Sequence, residues 1–336
     1  MAKQILVVGT AHPHVFGIAN AVEHARDCAL VGVWDDDPQR LEAAQERLGV
    51  RGIADLDEAF GHDPALVIIG AVPCDRAGLA VRALSSGAAV LVDKPLAVTH
   101  EALDGLIAAQ RQHGQPVITY YPYRGHPAVQ VAKRMIDEGR IGRVVHLVGC
   151  GPHRLNPETR PSWHFTRAEN GGCIIDVGSH YADVCCWMTG LVPEYICATH
   201  TNVSQPAHGE FQDFAQAHLR FPGGILAHIQ ADWLTPQSFK RFGDSRIWIQ
   251  GTEGRIEMRH GDEMINQFWT NDDRAQPIDV TGVPGLEAWD TKLIEDLAHG
   301  RSCGIEQEEV WRATRVTLYA FDSATAGGKP IENPKF

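Results

Sequence analysis

The sequence lacks several features that define specialised classes of protein. Its eight cysteines form no Cys-x-x-Cys pair, and no apolar run approaches the roughly 20 residues that a membrane-spanning helix needs. The formal charge of −12 disfavours nucleic acid and anionic membrane surfaces as partners, because both need a basic protein face. We therefore expect no disulfide framework, no membrane span and no nucleic-acid partner.

What remains indicates an ordinary globular protein. Apolar residues make up 44% and charged residues 21% of the 336 residues, a length that suggests two domains, each with its own core. The chain opens on the apolar run 4–9, which is too short for the apolar region of a signal peptide. We therefore expect a cytoplasmic protein whose cysteines are buried thiols.

Residues 1–122 alternate short apolar runs with amphipathic segments. Strands rich in β-branched residues and separated by helices are typical of a parallel sheet covered on both faces. We predict an α/β fold in which residues 1–122 form a Rossmann-type, doubly wound dinucleotide-binding domain. The expected strands are Ile5–Gly9, Ala29–Trp34, Leu66–Gly70, Ala89–Val92 and Val117–Tyr120, and the expected helices include Pro38–Leu48, Arg76–Ser86 and His100–His113.

The turn after the first strand is where such a fold binds a pyrophosphate, because N–H groups of a helix start point there. Gly9 and Ala11 fill the first two glycine positions of Gly-x-Gly-x-x-Gly, whereas His14 replaces the third. The pair His12-x-His14 also suggests a metal site, but the sequence identifies no third ligand and we predict no metal. The predicted cofactor contacts in this turn are Gly9, Thr10, Ala11, His12 and His14.

Acidic and basic residues follow two later strands. An acid after the second strand accepts hydrogen bonds from the adenosine ribose and repels a 2′-phosphate, so Asp35, together with Asp36, predicts NAD rather than NADP. The alternative is that these aspartates only cap the helix that begins near Pro38. Asp93 and Lys94 follow the fourth strand, at the edge where parallel sheets bind ligands. Lys94 could favour the alkoxide form of a substrate hydroxyl, or it could be a solvated surface lysine.

Residues 123–336 predict a second domain built mainly on antiparallel strands. The segment 120–127 looks like a hinge, and residues 268–284 look like a loop. A helix is expected at Pro127–Glu138 and a strand at Arg143–Gly149. Further strands are expected at Ile196–Val203, Phe211–Arg220, Ile225–Leu234, Arg246–Gln250 and Gly254–Arg259, followed by helices at Leu286–His299 and Glu306–Ala326.

The stretch 170–190 carries a candidate proton-transfer pair. Asp176 and His180 lie four residues apart, so on one helix they would share a face. A carboxylate beside an imidazole is how proteins tune a proton-transferring histidine, although such pairs also occur as a helix-start acid followed by a core histidine. Asp183, one turn further on, belongs either to the support of this pair or to the helix surface.

Five motifs in this order resemble those of the glucose-fructose oxidoreductase, inositol dehydrogenase and rhizopine catabolism (Gfo/Idh/MocA) family across nearly the whole chain. They are Gly9-Thr10-Ala11, Asp35, Asp93-Lys94-Pro95, Arg124-x-x-Pro127 and Asp176-x-Gly178-x-His180. The resemblance implies that residues 123–336 form a substrate-binding and oligomerisation domain, with an open antiparallel sheet serving a homodimer or homotetramer. It also implies that Pro73, Asp93, Lys94 and Arg124 contact the cofactor.

The resemblance further implies an NAD-dependent oxidoreductase. It would move a hydride from a hydroxyl of a sugar, polyol, cyclitol or sugar acid to the nicotinamide, where Lys94, Asp176 and His180 would meet. His180 would act as general base, Asp176 would orient it or bind a neighbouring hydroxyl, and Lys94 would polarise the reacting oxygen. The alternatives are an NAD-dependent glycoside hydrolase that works by transient oxidation and elimination, and a non-catalytic nucleotide-binding regulator.

The polar loop 153–167 lines the substrate pocket in this family. The resemblance thus makes His153, Trp163, His164 and Arg167 candidate substrate contacts: Trp163 could stack on a sugar face, and Arg167, like Arg154 or Arg160, could pair with a carboxylate. Core packing of Trp163 and solvated arginines are the equal alternative. The chain departs from the usual family pattern at three positions, namely His14 for glycine, Asp93 for glutamate and Pro122 for asparagine.

Overall fold

The computed structural model describes residues 2–260 and 264–336, which fall into two compact units. Unit 1 comprises Met1–Tyr121 and Pro284–Trp311, and unit 2 comprises Pro122–Val283 and Arg312–Phe336. This division differs from the predicted boundary between residues 122 and 123 chiefly because the segment 284–311 joins the N-terminal unit. Its helix packs against strands of the parallel sheet.

The secondary structure follows the predicted alternation closely. The strands are β1 (Lys3–Val8), β2 (Cys28–Trp34), β3 (Gly52–Ile53), β4 (Leu66–Ile69), β5 (Ala89–Asp93), β6 (Val117–Tyr120), β7 (Val144–Pro152), β8 (Tyr195–Thr201), β9 (Phe214–Phe221), β10 (Ile225–Asp232), β11 (Ser245–Gly251), β12 (Gly254–His260), β13 (Met264–Thr270), β14 (Gln276–Pro277) and β15 (Ile331–Glu332). The α-helices are α1 (His14–Asn20), α2 (Pro38–Leu48), α3 (Leu56–Phe60), α4 (Pro73–Ser85), α5 (His100–His113), α6 (Pro122–Gly125), α7 (Pro127–Asp137), α8 (Arg167–Asn170), α9 (Cys173–Asp176), α10 (Ser179–Thr189), α11 (Leu286–Ala298) and α12 (Gln307–Thr325).

Unit 1 contains a parallel sheet in the order β3-β2-β1-β4-β5-β6. This is the strand order of a dinucleotide-binding fold, with the reversal of order between β1 and β4. Every residue of β4 and β5 is buried, as expected for central strands covered on both faces. The predicted α/β, doubly wound fold is therefore confirmed.

Local capping explains why two helices begin and end where the sequence predicts. The Asp37 side chain accepts hydrogen bonds from the backbone N–H groups of Gln39 and Arg40 at the start of α2, and Pro38 occupies its first turn. Gly49 ends α2 in the left-handed conformation, at φ 63°. Thr99 and Gly114 do the same for α5.

Unit 2 is built on a nine-stranded sheet in the order β14-β13-β12-β11-β7-β10-β9-β8-β15. Its described pairings are antiparallel except for β7 with β10, so the predicted mostly antiparallel sheet is confirmed. Helix α10 lies on β7 through Tyr181. A Cβ atom on Gly149 or Gly151 would come within 2.4 Å of the Tyr181 ring, so these glycines permit the close packing.

Two predictions about unit 2 were wrong. Residues 268–270, expected in a loop, belong to β13, which pairs with β12, and Gln276–Pro277 forms β14. The expected continuous helix through Asp176 and His180 is interrupted between α9 and α10. As for membrane insertion, no helix within the described residues combines the length and the apolar character needed to span a bilayer.

Candidate functional site

The turn after β1 is tightly held within unit 1. Gly9 has φ 75°, and a Cβ atom there would lie 2.4 Å from the Cβ of Ala71, so glycine is required twice over. The backbone N–H of His12 donates to the carbonyl of Gly70 at 3.0 Å. Thr10 is buried, whereas Ala11, His12 and His14 keep partial exposure beside the start of α1. The predicted cofactor-binding turn is therefore rigid at Gly9 and accessible just after it.

Asp35, the predicted ribose ligand, is buried and used inside the fold. Its Oδ2 accepts hydrogen bonds from the N–H and Oγ1 of Thr10 at 2.7 and 2.8 Å. Its Oδ1 accepts from the N–H of Asp37 at 3.0 Å and from Nε of Arg40 at 2.9 Å. Burial alone would raise the pKa of Asp35, but these hydrogen bonds, first that of Arg40, hold the pKa below its usual value. Since a carboxylate offers about four acceptor positions, Asp35 acts as the anchor of the turn.

The neighbouring Asp36 faces solvent instead. Its side chain is 65% exposed and pairs with Nη2 of Arg40 at 2.6 Å. Asp36 borders a groove of about 420 Å³, and Pro73 is buried in the first turn of α4, which supplies one wall. The lining residues are Trp34, Asp36, Ala71, Cys74, Asp75, Gly78 and Leu79. Arg40, in the first turn of α2, was missed from the sequence, although it follows three consecutive acids that it could pair with.

Asp93 lies at the end of β5, fully buried, where two histidines of the first turn meet it. Nδ1 of His12 is 2.7 Å from Oδ2, and Nδ1 of His14 is 3.0 Å from Oδ1. Burial lowers the pKa of His12 to about 4 despite the opposing effect of Asp93. Burial would raise the pKa of Asp93, but His12, His14 and Arg76 hold it well below its usual range. We interpret Asp93 as an ionised acceptor that ties the first turn to β5.

Arg76, which the sequence did not single out, shapes the segment that carries Lys94. Its guanidinium is fully buried and donates to the carbonyls of Ala71 at 2.8 Å and Asp93 at 2.9 Å, and also to that of Lys94. Lys94 itself is only 4% exposed, and its peptide bond to Pro95 is cis. The alternative of a solvated surface lysine is therefore wrong. Only the three-dimensional fold reveals the role of Arg76, because its partners are mostly carbonyl groups.

Another buried carboxylate in unit 1, that of Asp290, comes from α11. The hydroxyl of Tyr120 donates to Oδ2 of Asp290 at 3.2 Å, and the Tyr120 ring lies 6.4 Å edge-on from that of His14. Burial raises the pKa of Asp290 to about 6, against the lowering effect of the Tyr120 hydrogen bond. Nothing in the sequence near residue 290 signals this contact, which joins residues 170 positions apart.

In unit 2, Asp176 and His180 lie on consecutive helices, and each is 5% exposed. The junction between them requires glycine at position 178, since a Cβ atom there would come within 2.3 Å of the Ile174 carbonyl oxygen. Nδ2 of Asn170 donates to Oδ2 of Asp176 at 3.3 Å. The Asp-x-Gly-x-His spacing thus reflects a tight helix-to-helix junction, in place of the single helical face that the sequence predicts.

Aromatic rings surround His180. The ring of Tyr123 packs edge-on at 5.5 Å, and that of the predicted substrate residue His153 lies roughly parallel at 6.5 Å. Tyr123 also belongs to a hydroxyl cluster with Tyr181 and Ser245. The sequence did not reveal this cluster, because its three residues come from separate elements, α6, α10 and β11, that only the fold brings together.

Arg124 and Asp183 form a buried ion pair within unit 2. Nε of Arg124 donates to Oδ2 of Asp183 at 2.9 Å, and its Nη2 donates to Oδ1 at 2.8 Å. The guanidinium also lies 5.0 Å from the centre of the Trp187 ring. Asp183 is 1% exposed, so it does not belong to the helix surface, and its support of Asp176 and His180 stays a prediction. The expected cofactor contact of Arg124 stays a prediction, because its guanidinium is engaged here by Asp183.

Part of the predicted substrate loop, residues 153–167, is packed into unit 2. Trp163 and His164 are 7% and 3% exposed, so Trp163 follows the alternative of core packing. The His164 ring lies 4.7 Å edge-on from Trp233, and the guanidinium of Arg160 lies 4.9 Å from the same ring. The Arg167 guanidinium covers the Phe321 ring at 3.7 Å. Roles of these residues in substrate binding stay predictions.

Comparison with known proteins agrees with the fold and motifs. Residues 3–121 match the model of an oxidoreductase family with an NAD-binding Rossmann fold, and residues 129–257 match that of the GFO/IDH/MocA C-terminal domain. Among solved structures, an oxidoreductase from Erwinia carotovora atroseptica SCRI1043 superposes with a TM-score of 0.87 and 26% identity, covering 96% of this chain and 98% of that one.

Curated relatives are more distant and align over part of their length. They include an oxidoreductase of Streptococcus pneumoniae (26% identical; 66% of this chain, 60% of the relative) and the 2,7-anhydro-N-acetylneuraminate hydratase of Mediterraneibacter gnavus (23%; 75% and 66%). Another is the NAD(+)-dependent scyllo-inositol 2-dehydrogenase of Bacillus subtilis (24%; 74% and 72%). The chain thus spans less than two thirds of the first two relatives. With both of its domain models matched in order, the chain belongs to the Gfo/Idh/MocA family of oxidoreductases.

Proposed function

We propose that the protein is an NAD-dependent dehydrogenase that oxidises one hydroxyl of a sugar, polyol, cyclitol or sugar acid. The observation that carries the proposal is the burial of three ionisable side chains from the family motifs. Lys94, Asp176 and His180 are each at most 5% exposed. Burying such groups costs free energy, so a chain that retains all three at motif positions is expected to use them chemically. This retention also argues against a purely regulatory role, which needs none of them.

The residues of unit 1 fit a nicotinamide dinucleotide. The tight turn at Gly9 leaves backbone next to Ala71 without side-chain bulk, and the groove beside Asp36 offers about 420 Å³. We assign the pyrophosphate to the turn containing Thr10, Ala11, His12 and His14, and the adenosine ribose to Asp36, with Asp35 fixing the turn behind it. When bound, the dinucleotide supplies the hydride acceptor.

Each of the three motif side chains then has its own role in removing the proton of the substrate hydroxyl. His180, held among aromatic rings, accepts the proton of the substrate hydroxyl as general base. Asp176, fixed by Asn170, orients the imidazole or binds a neighbouring hydroxyl. The ammonium group of Lys94 stabilises the developing alkoxide.

The direct test measures NADH formation by the purified protein over a panel of cyclitols, aldoses and sugar acids. Lys94→Ala and His180→Ala should each lower kcat about 10²- to 10⁴-fold, the usual contribution of general acid–base catalysis. His24→Ala serves as the matched control, because His24 is an exposed histidine of unit 1. Unchanged rates in both active-site variants would refute the assignment.

Cofactor choice needs its own test because Arg40 lies beside the acids. The carboxylate of Asp36 should repel a 2′-phosphate, so NAD should bind more tightly than NADP in a fluorescence titration. Asp36→Ser should narrow this preference, since it leaves the Arg40 guanidinium to attract the phosphate. Equal affinity for the two cofactors in the wild-type protein would contradict the preference for NAD.

A second candidate is NAD-dependent chemistry without net oxidation. The relative from Mediterraneibacter gnavus is a hydratase, which favours considering a bound cofactor that is reduced and reoxidised in each cycle. A glycoside hydrolase that acts by transient oxidation and elimination would follow the same logic. Release of nitrophenol from a nitrophenyl glycoside, with no accumulation of NADH, would favour this candidate over the dehydrogenase.

A further inference from the structure

His12, His14 and Asp93 meet at the end of β5 and offer three possible metal ligands, which the proposed dehydrogenase reaction does not require. We propose that these three side chains form a binding site for one divalent first-row transition-metal ion of the Zn²⁺ class. The site lies entirely within unit 1, and the inference goes beyond the proposed function.

The ligand atoms already converge. Nδ1 of His12 and Nδ1 of His14 lie 2.7 and 3.0 Å from different oxygens of Asp93, and one ligand atom from each residue lies within 4.8 Å of the others. Bonds to zinc of roughly 2.0–2.2 Å place ligand atoms of one ion roughly 3–3.5 Å apart. The three ligand atoms are therefore already close to the spacing that one ion requires. Within the part of the chain that the structure describes, no other group of three His, Cys, Asp or Glu residues meets this criterion.

The donor set selects the class of metal. Two imidazoles and one carboxylate suit Zn²⁺, Co²⁺, Ni²⁺ and Fe²⁺, whereas Mg²⁺ and Ca²⁺ prefer oxygen ligands. Three protein ligands leave at least one coordination position for water or another oxygen donor. A diphosphate or a hydroxyl group is such a donor.

The surroundings hold the proposed ligands in place. Pro13, between the two histidines, has φ −67° and restricts the spacer. Asp93 is fully buried, and Nη2 of Arg76 approaches its Oδ2 at 3.5 Å, so the carboxylate is oriented from behind. Hydrogen bonds to a ligating carboxylate are a regular feature of metal sites.

The same distances also fit two N–H···O hydrogen bonds from the imidazoles to Asp93. The positive charges of Arg76 and Lys94 favour that arrangement, because they oppose a further cation. The two arrangements differ in a measurable way, since a metal ion replaces both Nδ1 protons and remains with the protein on desalting.

The test uses the full-length chain without a histidine tag and without nucleotide. After incubation with Zn²⁺ and desalting, atomic emission should find about one zinc per chain, and Co²⁺ should give visible d–d absorption bands. His12→Ala and His14→Ala should each weaken zinc binding at least about tenfold, by analogy with the effect of losing supporting groups. His24→Ala, an exposed histidine in the same unit, should retain zinc as the wild-type protein does.

Two outcomes would overturn the proposal. One is wild-type protein that retains no zinc, which would assign the cluster to hydrogen bonding alone. The other is equal zinc retention by the double variant His12→Ala/His14→Ala. Far-UV circular dichroism controls for folding, which the histidine variants are expected to keep because both replaced side chains are partly exposed.

Discussion

The two units bury an aspartate beside an arginine in different ways. In unit 2, Arg124 directs its Nε and Nη2 at both oxygens of Asp183, so each charge satisfies the other. In unit 1, Arg76 donates mainly to backbone carbonyls and approaches Asp93 only at 3.5 Å, while both Asp93 oxygens face histidines. We call the Arg124–Asp183 pair closed, because the arginine binds both carboxylate oxygens. The carboxylate of Asp93 instead contacts His12 and His14, which are partly exposed and can be replaced by other partners.

The largest effect is expected from breaking the closed pair. Arg124→Ala should lower the free energy of unfolding by about 3–5 kcal/mol, because it removes the guanidinium that binds both oxygens of the buried Asp183 carboxylate. Urea unfolding followed by both tryptophan fluorescence and circular dichroism measures this loss. The double variant Arg124→Met/Asp183→Leu should recover most of it, since no uncompensated charge remains. A loss below about 1 kcal/mol in Arg124→Ala would remove the distinction between the two pairs.

A smaller effect is expected at Asp93. His14→Ala should lower the free energy of unfolding by about 1–3 kcal/mol, the usual consequence of removing one partner of a charged hydrogen bond. Water can reach this partly exposed position and replace the imidazole, which places the expected value near the lower end. Urea midpoints of wild type, His14→Ala and the control His24→Ala give the measurement. A loss of unfolding free energy equal to that of Arg124→Ala would show that Asp93 depends on His14 as strongly as Asp183 depends on Arg124.

Asp290 is a third kind of buried aspartate, because the hydroxyl of Tyr120 donates to its carboxylate where Asp183 has an arginine and Asp93 has histidines. Its pKa of about 6 lies above the value near 4 of an unfolded chain, so between these pH values the folded state binds a proton that the unfolded state has lost. Stability should therefore fall as pH rises from about 4 to 6, by the order of 1–2 kcal/mol after allowing for solvent screening, and this dependence should end above pH 6.

Asp290→Asn isolates that contribution from other titrating groups. The difference in free energy of unfolding between wild type and variant, measured at several pH values from 4 to 7, should change mainly below pH 6. A difference that stays constant across this range would contradict the raised pKa.

The smallest loss of stability is expected at Asp37, which is more exposed than the three buried aspartates above. Asp37→Ala removes the N-cap of α2 and should cost about 1 kcal/mol, with thermal unfolding as the readout. Asp55, which caps α3 in the same way, provides the matched comparison. Equal losses in the two variants would mean that the contact of Arg40 with Asp37 adds nothing to the cap.

Features encoded by neighbouring residues could be predicted from the sequence. The bounds of α2 follow from Asp37, Pro38 and Gly49, and the parallel sheet follows from the buried runs of β4 and β5. Lys94 and His180 could be named as candidates because Lys94 directly follows strand β5 and His180 lies in the first turn of α10, which are local features too.

Features that depend on distant pairing could not be predicted. Strand β13 has no clear alternation of polar and apolar residues and is recognised by its pairing with β12. The contact of His14 with Asp93 joins residues 79 positions apart, so a third ligand for His12 and His14 was invisible in the sequence. The sequence singled out Asp35 as a ribose ligand, but the engagement of its carboxylate by Thr10 and Arg40 depends on how the turn folds.

The return of residues 284–311 to the first unit has a consequence for synthesis on the ribosome. Helix α11 packs on β1, β4 and β5, so this part of the parallel sheet stays uncovered during synthesis until residues 286–298 have emerged. A fragment ending at Tyr121 would expose the apolar surface that α11 buries, and it should aggregate more readily than the full chain. An independently folding version of this unit would carry both segments, joined by a flexible linker.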